Sequence, residues 1–402
     1  MHILFFADHH PDSLGGVQTS LMLQKKFLER AGHTVTMVVS RRFRRNRRLE
    51  GMIEVPSLPL PPTGAYSIEP SLKLAYRTVQ RKLAKMAMPV DIVHVQADVW
   101  GAILGAAWAK DHNLPCVHTV HTNLDLGFAH TLGRTGAGRV AQVLNRWAAS
   151  MLDHEVPKNS KNVWAFKEQV CRHANYVTSP SGHFARELEK HKVVENALVF
   201  PNGVDDDVVE GIEKTQSPAD GRELDFVWAG RMSAEKRITE FLGAFHSANL
   251  PNTHLHIYGS GQLEARVRLL LVQLGLTKTA TFHGRLPHRD LVSRFASADL
   301  VAQSSVGFET QGMTVYESIA VGTPVFVADP KIAAELPAEN VWLARTPSVD
   351  DMARALTRAA KDIRTGNSKR AIDTGDWSVL QSEITAKMIA IYEKAIAEGP
   401  KA

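Results

Sequence analysis

Two carboxylates, Glu309 and Glu317, have seven residues between them, with Gly312 in the middle, in the run Phe308-Glu309-Thr310-Gln311-Gly312-Met313-Thr314-Val315-Tyr316-Glu317. Gly312 permits a close approach of backbone to ligand and the start of a helix. The first N–H groups of a helix are unpaired and carry partial positive charge, so such a start suits a diphosphate. An ionised carboxylate on each side of it accepts hydrogen bonds from hydroxyls, which suits a polyhydroxylated ligand. The same spacing also fits a capping carboxylate followed by a solvated glutamate. A second group of chemistry-bearing residues is cationic. Arg231 and Lys236, in Gly230-Arg231-Met232-Ser233-Ala234-Glu235-Lys236, offer a guanidinium fork and a point charge for phosphate oxygens. A merely solvated pair is disfavoured at a helix start, where cations meet the wrong end of the dipole.

His118 and His121, in Val117-His118-Thr119-Val120-His121-Thr122-Asn123, raise the thought of a metal. No third ligand clusters near them in sequence, so the reading is no metal. Asp205-Asp206-Asp207 follows the turn signal Pro201-Asn202-Gly203 and reads as a solvated acidic turn.

These residues need strands and helices to place them. Short apolar runs recur, each followed by a helical pattern: His2–Ala7 then Val17–Ala31, Thr34–Ser40, Asp91–Gln96 then Gly101–Lys110, Cys116–Thr119, and Tyr176–Ser179. A second series follows Leu198–Phe200 and a polar linker, Glu213–Glu223. It comprises Asp225–Ala229, a helix over Ala234–Ala248, then His254–Tyr258, Ala280–His283, Leu300–Gln303 and Pro324–Val327, with a last amphipathic helix over Trp377–Ala397. Alternating strands and helices predict parallel sheets with crossover helices, hence an α/β fold in two halves. Ligands of such sheets bind beyond the carboxyl ends of the strands, and two facing halves would make a cleft there. Every candidate above lies at such an end. The 402 residues suit two or three domains, and two cysteines exclude a disulfide scaffold and fit a reducing cytoplasm. No apolar run is long enough to span a membrane, and the first residues lack the cationic flank of a signal peptide.

With these motifs in place, the sequence resembles the retaining glycosyltransferases of sequence family four, which have the GT-B fold. The spacing of Glu309 and Glu317, the intervening Gly312, and the following Gly322-Thr323-Pro324-Val325 match the family's hallmark. The usual Glu-Gly-Phe-Gly is replaced by Glu309-Thr310-Gln311-Gly312. Gly230-Arg231 with Lys236 is similar to the family's Gly-Arg-x-x-x-x-Lys signature.

The resemblance implies two facing Rossmann-like doubly wound domains. One spans 1–200 and binds the acceptor, with a C-terminal helix about 380–402 returning to it; 201–379 binds the donor. It implies transfer of a hexose from a nucleotide diphosphate sugar with retention, without metal or cofactor. Arg231 and Lys236 would hold the diphosphate, Glu309 the hexose hydroxyls and Glu317 the ribose hydroxyls. Gly16 in the Gly-Gly loop, Gly259, Gly312, Met313 and Thr314 would complete donor binding, and backbone groups at Arg285 would read the base. His121 would contact the donor sugar or acceptor.

The net charge of +5 is uninformative until located. Residues 41–85 hold eleven Lys and Arg against the three acids Glu50, Glu54 and Glu69. Arg41, Arg42, Arg44, Arg45, Arg47 and Arg48 form one run; Lys73, Arg77, Arg81, Lys82 and Lys85 lie in the acid-free Ser71–Met88. There Leu72, Val79, Leu83 and Met86 form an apolar stripe, so a basic amphipathic helix lying on an anionic membrane is expected. A stripe packed on the sheet beneath solvated cations is the other reading. Between the two runs, Leu58–Gly64 reads as a loop.

Phosphatidylinositol mannosyltransferases and diacylglycerol glucosyltransferases look similar here. This favours a lipid acceptor and a peripheral place on the inner face of the cytoplasmic membrane, with GDP-mannose preferred over UDP-glucose as donor. A soluble acceptor, a nucleotide-sugar epimerase and a non-catalytic binding protein are the alternatives. Nucleic acid is not expected, because a net charge of +5 over 402 residues is too mild to imply it.

Overall fold

The computed structural model describes residues 1–11, 16–41, 51–59, 67–86, 88–212, 221–367 and 379–401. Arg42, Arg44, Arg45, Arg47, Arg48, residues 60–64, most of the polar linker and Trp377 therefore lie outside the described residues. The chain forms two compact units, Met1–Gly203 with Gln381–Ala402, and Val204–Leu380.

The first unit is built on a seven-stranded sheet. Its order is Met52–Val55, Thr34–Ser40, His2–Phe6, Ile92–Val95, Cys116–Thr119, Tyr176–Ser179 and Leu198–Val199, and every pairing is parallel. Alternation along the strands serves both faces. Ile3, Phe5 and Ala7 pack with Leu21 and Leu28 of the helix Gly16–Arg30, and with Met388 and Tyr392 of Gln381–Glu398. Leu4 and Phe6 face the other way, toward helices Leu72–Leu83, Trp100–Asp111 and Val163–Cys171. Each such fully buried side chain contributes about 1.5–3 kcal/mol. The sheet is thus covered on both sides, as an all-parallel sheet requires.

The second unit repeats the scheme with six parallel strands in the order Ala280–Gly284, Thr253–Tyr258, Leu224–Ala229, Leu300–Gln303, Val325–Val327 and Val341–Leu343. Phe226 and Trp228 pack toward Ile238–Ala248 and Val349–Arg364, while Val227 and Ala229 pack toward His288–Ser297 and Met313–Ala320. Both units are doubly wound α/β sheets, as the strand-and-helix alternation predicts.

Three helices differ from their sequence reading. The pattern over Ala234–Ala248 is not one helix: a 3₁₀ turn, Ala234–Lys236, is followed by Arg237 at φ 51° and then by Ile238–Ala248. The break turns Lys236 away from the helix. The last helix runs Gln381–Glu398, because Leu380 is already bridged to Val204 as a strand-like residue. The basic helix runs only Leu72–Leu83. Ser71 caps it by accepting from Leu74 N at 3.3 Å, and Lys85 lies beyond its end. Of the expected stripe, Leu72 and Val79 are buried in the core with Ala75, Leu83 packs against them, and Met86 lies exposed beyond the helix end. The stripe is therefore packed against the core of its own unit, and only the outer, cationic face of the helix is open to a surface. Lys73, Arg77, Arg81, Lys82 and Lys85 all remain exposed.

Candidate functional site

In the second unit the strand order reverses between Leu224–Ala229 and Leu300–Gln303, the place where open α/β sheets bind ligands. The loops leaving these two strands carry Arg231 and Lys236 on one side and Glu309 on the other. Ser304 ties the loops together. Its Oγ accepts from Trp228 Nε1 at 2.9 Å and donates to the Lys236 carbonyl at 2.6 Å. Across this tie the Lys236 ammonium pairs with Glu309 Oε1, which also accepts from Ser305 Oγ at 3.1 Å. Burial works against the charged form of Glu309, but Lys236, Ser305 and the field of Arg231 outweigh it and hold its pKa below the usual carboxylate range. Arg231 itself is exposed.

Gly312 sits at φ 83° and opens the helix Met313–Ala320 with no side-chain cap. A Cβ there would lie 2.9 Å from Gln303 Nε2, so both space and backbone require glycine. The helix start at Met313 and Thr314 therefore carries unpaired partial positive charge beside Glu309. Gly259 follows the neighbouring strand at φ 133°. A Cβ on it would fall 1.9 Å from the Gly230 carbonyl oxygen, so glycine lets this loop lie against Gly230-Arg231. Arg285 is exposed just after Ala280–Gly284.

Glu317 is buried within its helix and binds His288 Nε2 through Oε1 at 2.7 Å. That bond, above all, raises the pKa of His288 from its ordinary value, with burial opposing and Asp205 assisting. Sequence reasoning missed His288. It stands at the start of His288–Ser297, after the segment His283–Pro287, and nothing in its spacing links it to Glu317. Asp205 accepts from Asp207 N at 3.1 Å and caps the short helix Asp206–Glu210, so the acidic run is a helix start.

The first unit reverses its strand order between His2–Phe6 and Ile92–Val95. Asp8, Gln96, Asp98 and His121 gather at the strand ends on either side. The Asp8 carboxylate accepts from the N–H groups of Asp98, Val99 and Gly101 at 2.6, 2.9 and 2.9 Å, at the start of Trp100–Asp111. Lys167 Nζ meets Asp98 Oδ1 at 2.8 Å in a buried pair. Burial alone would raise the Asp98 pKa, but Lys167 and its neighbours lower it. His121 is buried and bonded through Nε2 to Gln96 Oε1 at 2.7 Å; burial pushes its pKa down to about 4. His118 is also buried, with Nε2 3.1 Å from the Ala97 carbonyl and Nδ1 3.5 Å from Cys171 Sγ. Gly16 begins the helix Gly16–Arg30, while Gly15 lies outside the described residues. Gln96, Asp98 and Lys167 were not singled out from the sequence, because only the fold brings them to His121. Among the described residues no cluster of His, Cys, Asp or Glu is arranged to hold a metal, and no helix is long and apolar enough to cross a membrane.

Two doubly wound α/β units, each with polar groups converging at a sheet reversal, give the chain two candidate ligand sites at the strand ends. The family comparisons divide the chain likewise. Residues 14–208 match the family model "Glycosyltransferase Family 4", and residues 209–373 match "Glycosyl transferases group 1". The chain belongs to these glycosyltransferases and has the GT-B fold. It is 25% identical to the alpha-monoglucosyldiacylglycerol synthase of Streptococcus pneumoniae, over 89% of this chain and 78% of that one. It is 26% identical to a GDP-mannose-dependent alpha-(1-6)-phosphatidylinositol dimannoside mannosyltransferase of Mycobacterium tuberculosis, over 84% and 81%. In fold it is similar to the sucrose-phosphate synthase of Thermosynechococcus elongatus, with TM-score 0.72, 16% identity and 99% of each chain covered. Anabaena Alr3699/HepE, solved in complex with UDP-glucose, has TM-score 0.63 at 16% identity, covering 98% of this chain and all of that one (100%).

Proposed function

We propose that this glycosyltransferase moves a hexose, mannose or glucose, from a nucleotide diphosphate sugar to a hydroxyl of a membrane lipid or glycolipid. The anomeric configuration is retained, no metal takes part, and GDP-mannose is preferred over UDP-glucose. The second unit binds the donor and the first the acceptor. The observation that carries this reading is the Lys236–Glu309 pair, held between the two loops of the sheet reversal with the Arg231 field on it. When the donor arrives, its diphosphate takes Lys236 and Arg231. Glu309 is released to accept hydrogen bonds from hexose hydroxyls, and Glu317 accepts those of the ribose.

The anomeric C–O bond to phosphate then breaks, and a bond to the acceptor oxygen forms on the same face. The acceptor proton passes to the departing phosphate oxygen, and the nucleoside diphosphate leaves. Negative charge grows on that leaving group, so fixed cations there lower the barrier without a metal. Gly259, Gly312, Met313 and Thr314 bring backbone to the diphosphate, Gly16 is assigned to donor binding as well, and backbone at Arg285 reads the base.

The lipid acceptor is supported by both relatives, whose names each contain a lipid. It is also supported by the outer face of Leu72–Leu83. Exposed Lys73, Arg77, Arg81 and Lys82 stand beside Leu74 at 50% exposure, with Lys85 and the half-exposed Met86 and Met88 just beyond. This is a cationic surface with a few apolar contacts, suited to the anionic inner face of the cytoplasmic membrane.

Two measurements test the reading. Thermal unfolding with GDP-mannose, UDP-glucose, GDP and UDP should show a raised midpoint, since a ligand bound only by the folded state stabilises it; no shift with any of them defeats the donor assignment. Co-sedimentation with anionic vesicles should fall about a hundredfold in affinity when Lys73, Arg77 and Arg81 become Gln, at about 1 kcal/mol for each cation. Donor binding should be unchanged, and equal vesicle binding by the variant defeats the membrane assignment.

A further inference from the structure

The buried groups behind His121 form a hydrogen-bond network that runs in one direction. His94 is fully buried, with Nε2 2.7 Å from Thr119 Oγ1 and Nδ1 2.5 Å from Tyr392 Oη. Gln96 Nε2 lies 2.5 Å from Gln24 Oε1 and 3.4 Å from the same His94 Nδ1. Gln24 Nε2 donates to Ser20 Oγ at 3.2 Å, and Ser20 Oγ donates to Asn202 Oδ1 at 2.7 Å. An amide nitrogen can only donate and an amide oxygen only accept. Gln96 therefore spends its NH₂ on Gln24, and its 3.4 Å contact with His94 Nδ1 is secondary, because Tyr392 Oη already meets that nitrogen at 2.5 Å. What Gln96 turns toward His121 is its oxygen, 2.7 Å from Nε2.

We infer that Gln96, with its amide oriented by Gln24–Ser20–Asn202 and packed beside His94–Tyr392, is a positioning residue that fixes His121 in its Nε2–H tautomer. Nδ1 then keeps the lone pair, so a hydrogen bond from a substrate hydroxyl to this ring would be accepted at Nδ1. This rests on the contact of His121 with donor sugar or acceptor that the family resemblance implies and on the transferase reading above. Burial keeps both histidines neutral near pH 7, with His94 lowered well below its usual value, so each ring has one donor and one acceptor nitrogen. The two flanking groups come from near the end of the first unit's main segment and from the helix by which the chain returns to it. Asn202 is two residues before Val204, and Tyr392 lies on the helix that follows Leu380. His94 and Tyr392 also touch edge to face, with ring centroids 5.5 Å apart, which fixes the tyrosine for its bond.

The test is a long-range proton–nitrogen spectrum of the full chain with ¹⁵N-labelled histidine, the His121 signals identified by their loss in His121→Gln. The expected wild-type pattern is the Nε2–H tautomer; an Nδ1–H pattern overturns the inference without any variant having to fold. In Gln96→Leu the single tautomer should be lost and kcat should fall about tenfold, the size of one hydrogen bond, with KM for the donor unchanged. Gln96→Glu keeps an acceptor for His121, so it should retain the Nε2–H pattern and shift the acid limb of the kcat profile upward. A wild-type tautomer and kcat in Gln96→Leu overturn the inference. If no hexose transfer is found at all, the spectrum still decides the tautomer, so the two readings fail separately.

Discussion

Each unit holds one lysine–carboxylate pair at the reversal of its sheet, and the two pairs are built differently. In the first unit the side chains of Lys167 and Asp98 are 2% and 8% exposed. In the second those of Lys236 and Glu309 are 26% and 16% exposed. A buried pair has no alternative partner, because taking either ion from the other leaves an uncompensated charge in a poor solvent. An accessible pair can trade its partner for a ligand's charge at modest cost, because water reaches it. The first unit's charges are thus locked to each other, while on the proposed function the second unit's are open to exchange. The same contrast runs through the histidines. His121 is buried and neutral, whereas His288, whose side chain is 42% exposed, is pushed toward its charged form by Glu317.

Removing one lysine from each pair breaks the comparison most directly. Lys167→Met leaves Asp98 ionised and alone, and should cost about 3–5 kcal/mol of stability. A calorimetric transition of the first unit that fails to move would mean that water already reaches the pair. Lys236→Ala should leave the thermal midpoint within a few degrees and lower turnover about 10²–10³-fold, the loss typical of one preorganised group on developing charge. Unchanged turnover would remove Lys236 from the diphosphate. Glu317→Ala tests the helix that follows. Binding of the free nucleoside diphosphate, measured by titration calorimetry, should weaken about tenfold for the loss of a charge-assisted hydrogen bond, and a 2′-deoxyribose analogue should lose less on the variant than on the wild type.

The fold was legible because every strand of both sheets' centres is a compact apolar run between helical patterns: Thr34–Ser40, Cys116–Thr119, Tyr176–Ser179 and Leu300–Gln303 were read with the bounds they have. Backbone detail was not legible. Nothing in Ala234-Glu235-Lys236-Arg237 announces the left-handed Arg237 that separates the 3₁₀ turn from its helix, since helical propensity there is ordinary and the break is set by the loop to Ser304. The basic helix shows a different limit. Periodicity marks an apolar stripe but not what covers it, and the same Leu72, Ala75 and Val79 pattern suits a sheet or a lipid. Partners such as His288 for Glu317, or Gln96 and Lys167 around His121, come from distant segments. Only three-dimensional closure of the sheets brings them together, and no spacing rule reaches across 69 residues as the Lys167–Asp98 contact does.

The smallest expected effect separates the two histidine environments. The folded pKa of His288 is raised above its ordinary value by Glu317, so its contribution to stability is fully present below the unfolded pKa of about 6.5. That contribution is lost as pH rises through the raised folded value. His288→Gln should therefore lower the unfolding midpoint relative to wild type at pH 6, and the gap should close toward pH 9. An accessible histidine–carboxylate pair is worth about 1 kcal/mol or less, so the gap should be only a few degrees and should shrink in high salt. His121 has the opposite sign. Its pKa is pushed down to about 4, so its burial stabilises the fold above the unfolded pKa and is a liability below it. Replacing His121 by Gln should accordingly narrow the acid-side loss of stability between pH 6.5 and 4, where His288→Gln takes stability away. If both variants shifted the acid limb in the same direction, the division into an exchanging unit and a holding unit would not extend to their histidines.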